Sequence, residues 1–242
     1  MKTGYAALLF ALLAPWVLSG EAPQVTPAPK EQAWWQQNHE KFVAQAKQGG
    51  IEVLFIGDSI TERWATDGKA AWEKHFAPLK AANFGIGGDK VEHILWRAQN
   101  GELNSLKPKV VVLLAGINNT WGCKRDEQQA RGEFIGAGLA DILKIVRAKL
   151  PEAKVLLLAI LPLADGRAPC VKVANERLEK LADGQQVRFL DLVEKLAPGN
   201  GQASKDIMPD GVHLSPKGYE LWAEGLLPVL QNMLGGGAKP AK

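Results

Sequence analysis

Residues 52–62, EVLFIGDSITE, govern how the rest of the chain reads. The apolar run 52–56 is too short for a free-standing helix and has the look of a strand buried on both faces. Gly57-Asp58-Ser59 ends it, so the Ser59 hydroxyl falls at the carboxyl edge of a sheet, where a following helix can begin. A serine in that place most often caps a helix. Only partners elsewhere in the chain can make it a nucleophile.

Working outward, similar apolar runs occupy residues 110–115 and 154–160, with a weaker one at 187–190 and a short strand expected at 81–84. Helical patterns at about 89–98, 126–150 and 171–181 separate them. This βαβ order predicts an α/β fold: a doubly wound, flavodoxin-like parallel sheet of about five strands with helices on both faces, in a single domain. Ligands of such sheets bind beyond the carboxyl ends of the strands. Trp34, Trp35, Phe42 and Val43 recur at helical spacing before Gly49-Gly50, which suits a helix packed on the domain edge. A last helix is expected over 216–234, so the folded domain spans 31–234 and the tail 235–242 frays.

At the amino terminus, Lys2 precedes an apolar run broken by Pro15, and the small residues Ser19, Gly20 and Ala22 follow. Residues 1–19 read as a signal peptide, which predicts a secreted or periplasmic protein with no membrane span after cleavage. Residues 20–30 carry three prolines and little core material, and read as an extended linker. The 242 residues are 46% hydrophobic and 23% charged, enough for one core. A formal charge of +3 gives no sign of a nucleic-acid partner. Cys123 and Cys170 are the only cysteines. They follow the third and fourth strands, so in an exported protein a disulfide is one expectation and two reduced thiols the other. No metal-ligand spacing is present, and neither metal nor organic cofactor is expected.

A nucleophilic serine needs a base, and of His39, His75, His93 and His213 only the last has a carboxylate at a telling spacing. In Asp210-Gly211-Val212-His213 a turn can bring the carboxylate to one imidazole nitrogen while the other faces Ser59. His39 and His75 read as surface residues and His93 as packing. Acyl transfer also needs donors for the developing oxyanion. The turn Asn83-Phe84-Gly85-Ile86-Gly87-Gly88 could present the Gly88 N–H, and Ala115-Gly116-Ile117-Asn118-Asn119 could present the Asn118 side chain. Asp58, Trp64, Asn119 and Trp121 lie near these turns and are candidate substrate-binding residues. Neither dinucleotide nor phosphate-loop spacing is present, and Thr61 replaces the second glycine of the G-x-S-x-G elbow.

Together, FIGDSI around Ser59, NFGIGGD around Gly88, LLAGINN around Asn118 and DGVHL with Asp210 and His213 resemble, in order, the four blocks of the SGNH hydrolases, also called GDSL esterases and lipases. The resemblance spans about residues 51–226. It implies Ser59 as nucleophile, His213 as base and Asp210 as its orienting carboxylate, with Ser59 N–H, Gly88 N–H and Asn118 forming the oxyanion hole. Ile60 departs from the leucine of the GDSL pattern, and Asn119 stands where many members have Asp. The G-x-N-N form is similar to the branch of platelet-activating factor acetylhydrolase catalytic subunits and bacterial carbohydrate acetylesterases. The expected function is therefore removal of a short acyl group, acetyl above all, from a small-molecule or carbohydrate ester through an acyl-enzyme. The alternatives are a lipase, lysophospholipase or thioesterase on longer chains, or a non-catalytic carbohydrate-binding relative.

Overall fold

The computed structural model describes residues 23–163, 165–199 and 201–235. The signal peptide expected at 1–19 and all of the expected tail except Gly235 lie outside them. Five strands form one sheet: β1 (Val53–Gly57), β2 (Ala81–Gly85), β3 (Val110–Leu114), β4 (Lys154–Leu158) and β5 (Val187–Leu190). All pair in parallel in the order β2-β1-β3-β4-β5, which is the doubly wound architecture expected. Every residue of β1 and β3 is buried, as strands with covered faces require.

From β1 the chain steps to β2 through α2 (Ser59–Glu62) and α3 (Lys69–His75), then reverses to β3 through α4 (Val91–Gln99). It continues to β4 through α5 (Gln128–Lys149) and to β5 through α6 (Ala168–Glu179). Right-handed crossovers put steps of opposite direction on opposite faces. Accordingly α4, α5 and α6 pack side by side, while α3 packs with α8 (Pro216–Met233), which also meets α7 (Val193–Leu196). The reversal falls between β1 and β3, and in sheets of this kind ligands bind beyond the carboxyl ends of the strands at such a reversal.

Glycine sets how closely the first two strand ends approach. A Cβ at Gly85 would collide with the Glu62 backbone, and one at Gly57 with the Thr61 side chain and the Leu114 carbonyl. The turn that carries Ser59 is thereby pressed onto the end of the sheet.

The amino-terminal helix, α1 (Ala33–Gln48), packs over α4 as read, with Trp35 fully buried and Phe42 stacked on Phe84 at 4.5 Å. His39 is only 6% exposed, against the expectation of a surface residue, because its ring stacks on Trp35 and its Nε2 bonds to the Asn100 carbonyl. Residues 23–30 also differ from a free linker. They are extended, as their prolines dictate, but Val25 is buried in the main core and the Ala28 N–H donates to the Glu92 carbonyl. A valine and a free N–H every few residues suffice to dock a chain whose prolines have already removed much of its entropy.

Candidate active site

Ser59 opens α2 immediately after β1. The Asp58 side chain caps this short helix by accepting from the Ile60 N–H at 3.0 Å, and the Tyr219 hydroxyl of α8 donates to the Ile60 carbonyl at 2.6 Å. Asn83 donates to the Thr61 and Glu62 carbonyls. Two other elements thus hold a turn too short to hold itself.

The segment before α8 supplies the imidazole. Asp210 Oδ1 accepts from the Val212 and His213 N–H groups at 2.9 and 2.7 Å, with Gly211 in the left-handed region, and Oδ2 pairs with His213 Nδ1 at 2.7 Å. Burial opposes the Asp210 charge, but the His213 N–H, the imidazole and the Val212 N–H outweigh it and bring the carboxyl to about 2. An ionised Asp210 can only accept, so the proton sits on Nδ1 and Nε2 is left to accept from Ser59 Oγ, 2.8 Å away. Ser59, His213 and Asp210 are brought together in the order the sequence suggested.

The turn after β2 presents Gly88 on the surface at φ +71°, a conformation glycine adopts without strain. Asn118, in the 3₁₀ turn Ile117–Thr120 after β3, donates from Nδ2 to the Asp89 carbonyl at 2.9 Å. That bond uses one amide hydrogen and aims the group, leaving the second for a substrate oxygen.

Three of the four candidate substrate-binding residues are out of reach of a substrate. Trp64 is fully buried, stacked on Trp222 at 5.1 Å and packed on Tyr219, as an indole on the apolar side of α3 and α8 must be. Asn119 is 3% exposed, and its amide is consumed in joining two turns: Oδ1 accepts from the Val91 N–H and Nδ2 donates to Glu92. Asp58 is buried beneath Ser59, with one carboxylate oxygen in the cap and no hydrogen-bond partner found for the other among the described residues. Trp121 alone is open, at 58% exposure, with the Arg167 guanidinium 3.9 Å from its ring centre. Cys123 and Cys170 are free thiols, the second of the two expectations, and the disulfide is not formed. The loops do meet: burial first, and then the neighbouring Cys123, push the Cys170 thiol up to about 12.

Burial also pushes the Asp58 carboxyl up to about 7, with the Ile60 N–H opposing and Asp89 adding to the rise. An unfolded Asp titrates near pH 3.9, so between about pH 4 and 7 the folded protein holds a proton that the unfolded chain has released. This group's contribution to stability therefore falls as pH rises through that window. Asp58→Asn retains the cap without the titration, and its thermal midpoint relative to the parent is expected to be higher at pH 8 than at pH 5. An equal difference at both would mean that Asp58 carries its charge without penalty.

Sequence reading missed the support beneath these turns. Arg97 of α4 is fully buried: its guanidinium donates to the Phe84 and Gly57 carbonyls at 3.2 Å, and to both Glu102 oxygens at 2.6 and 2.7 Å. Its Nε lies 2.9 Å from Asp89, which also accepts from the Trp35 indole at 2.6 Å. The available signal was an arginine three residues from Ile94 on an otherwise apolar helix face.

The model of the GDSL-like Lipase/Acylhydrolase family matches residues 55–221, and the chain belongs to this family of ester hydrolases. Platelet-activating factor acetylhydrolase IB subunit alpha1 of Bos taurus is 33% identical over 223 residues, covering 88% of this chain and 91% of that one. The alpha2 subunit of Rattus norvegicus is 32% identical over 207 residues, covering 83% and 85%. A GDSL-like lipase from Bacteroides thetaiotaomicron shares the fold, with a TM-score of 0.64 over 81% of this chain and 98% of that one at 20% identity. These relatives carry the name of the branch that the G-x-N-N turn suggested. Among the described residues no helix is long and apolar enough to cross a membrane.

Proposed function

We propose that the protein is an exported serine esterase that removes short acyl groups, with Ser59, His213 and Asp210 as its catalytic triad. The carrying observation is the continuous chain Ser59 Oγ, His213 Nε2, His213 Nδ1, Asp210 Oδ2, with links of 2.8 and 2.7 Å. Ser59 Oγ attacks the ester carbonyl carbon as its proton passes to His213 Nε2, and the carbonyl oxygen becomes an oxyanion facing the Ser59 N–H, Gly88 N–H and Asn118 Nδ2. Asp210 stabilises the imidazolium. Collapse expels the alcohol, protonated by His213, and leaves an acyl-serine. Water, deprotonated by the same imidazole, then releases the acid and restores Ser59.

The acetyl preference draws on the acetylhydrolase names of the relatives. A carbohydrate leaving group draws on Trp121, three residues beyond Asn118, whose exposed indole can lie against a sugar ring while Arg167 and Asp165 meet hydroxyls. Export draws on residues 1–19 and their leader-like composition.

One observation favours the longer-chain reading. A cavity of about 850 Å³ opens beyond β4 and β5, with Ile160, Leu163, Val171 and Phe189 in its wall, although none of Ser59, Gly88, Asn118 or His213 lines it. A series of p-nitrophenyl esters separates the two. The expected profile peaks at acetyl to butyryl and falls by on the order of 10-fold by octanoyl, the reverse of what an apolar acyl groove worth 1–3 kcal/mol per few methylenes produces. A maximum at octanoyl or beyond would assign the cavity to the acyl chain and sink the short-acyl reading.

A further inference from the structure

The docked segment before α1 ends in a cation placed against the oxyanion turn. Lys30 is anchored by its backbone, since its carbonyl accepts from the Gln36 side chain at 2.6 Å. Upstream, the Ala28 N–H holds the chain to Glu92, and a Cβ on Gly138 would meet Val25 at 3.4 Å, so valine closes over that glycine of α5. From this anchor the Lys30 ammonium donates to the Gly87 carbonyl at 3.2 Å and pairs with Asp89 at 3.3 Å, with its side chain only 15% exposed. A Cβ on Gly88 would lie 3.3 Å from the same nitrogen.

The three residues of the turn are thus held from both ends. Lys30 holds the Gly87 carbonyl, and Asn118 holds the Asp89 carbonyl. Charge points the same way. Behind the turn lie the carboxylates of Asp89 and Glu102 and the guanidinium of Arg97. Arg97 faces two carboxylates with a single positive charge, and Lys30 adds a second cation on the Asp89 side of the turn. His93, 3.8 Å from Asp89, does not substitute, because burial and then Lys30 itself lower its imidazole to about 4.

We propose that Lys30 is a positioning residue of the oxyanion hole: through the Gly87 carbonyl and Asp89 it orients the Gly88 N–H, and it sets a positive charge beside the place where the oxyanion forms. The proposal rests on the assignment of Gly88 and Asn118 as oxyanion donors. It makes the proline-rich segment part of the catalytic apparatus rather than a tether. Charge that matters only when the oxyanion forms acts on kcat and leaves substrate binding alone.

The test compares Lys30→Met and Lys30→Arg with the parent and with Ser59→Ala on p-nitrophenyl acetate. Lys30→Met is expected to lose roughly 10-fold in kcat with KM within about twofold, a smaller loss than removal of a direct donor because Lys30 does not touch the substrate. Labelling of Ser59 by a fluorophosphonate slows in parallel, any fall in the thermal midpoint leaves the protein fully folded at the assay temperature, and Lys30→Arg retains most of the rate. A Lys30→Met rate within about twofold of the parent overturns the proposal, as does an equal loss in the Met and Arg variants or a loss matched by a collapse of the thermal midpoint. If Ser59→Ala retains the parent rate, the underlying triad reading fails instead, and the two failures are told apart in one experiment.

Discussion

Hydrolysis of p-nitrophenyl acetate is expected to fall by on the order of 10⁴- to 10⁶-fold in Ser59→Ala and in His213→Ala, with the double variant no slower than either single one. The two groups act as a unit: without the hydroxyl there is no acyl-enzyme, and without the imidazole 2.8 Å away nothing removes its proton. Asp210→Asn is expected to lose less, because the Val212 and His213 N–H groups can still organise the turn around an amide oxygen while the imidazolium loses its counter-charge. With the Asp210 carboxyl held at about 2, it stays ionised through the working range, so the acid limb of the rate profile does not come from its protonation. Steady-state rates on purified variants decide the matter. Ser59→Ala at the parent rate would transfer the chemistry to another nucleophile.

Arg97→Met is expected to lower stability by about 3–5 kcal/mol, the cost of leaving buried carboxylates without their guanidinium. Glu102 is 1% exposed and Asp89 fully buried, so neither can recover its hydration without opening the packing of α1 on α4. For a domain of this size the thermal midpoint should fall by roughly 10 °C. Burial already pushes the Asp89 carboxyl up against Arg97, the Trp35 indole and Lys30, and loss of the guanidinium raises it further. A raised folded-state carboxyl loses stability as pH rises, so the deficit should be deeper at pH 8 than at pH 5. Adding Asp89→Asn and Glu102→Gln should return part of it. A midpoint shift below about 2 °C would show that these charges are not paired in the folded protein.

The sheet was legible because its strands are covered on both faces, and continuous apolar runs admit few other readings. The run at 187–190 matches β5 residue for residue, while 154–160 overshoots β4, since Ala159 and Ile160 stay buried after the ladder ends. The helix read at 171–181 starts at Ala168 instead, because Pro169 sits in the first turn, where its missing N–H costs nothing. The short helix at Lys69–His75 has no period to detect. At the site, Ser59, Gly88, Asn118, Asp210 and His213 could be named because each follows a strand or shares a turn. What could not be read was depth. Trp64 and Trp121 look alike in sequence, yet one faces the α3–α8 core and the other solvent. Lys30 to Gly87 and Tyr219 to Ile60 join residues 57 and 159 positions apart, and nothing local announces such a bond.

Asp210 and His213 lie in a single turn, three residues apart, and their mutual geometry is set by hydrogen bonds internal to that turn. The imidazole and its carboxylate partner therefore form a cassette that the rest of the chain has only to deliver to Ser59. The segment between β5 and Asp210 can lengthen, shorten or diverge in descent without altering how the imidazole is held, provided α8 still docks. In evolutionary terms, insertions there can reshape the rim of the site and redirect substrate choice while the chemical step is inherited intact.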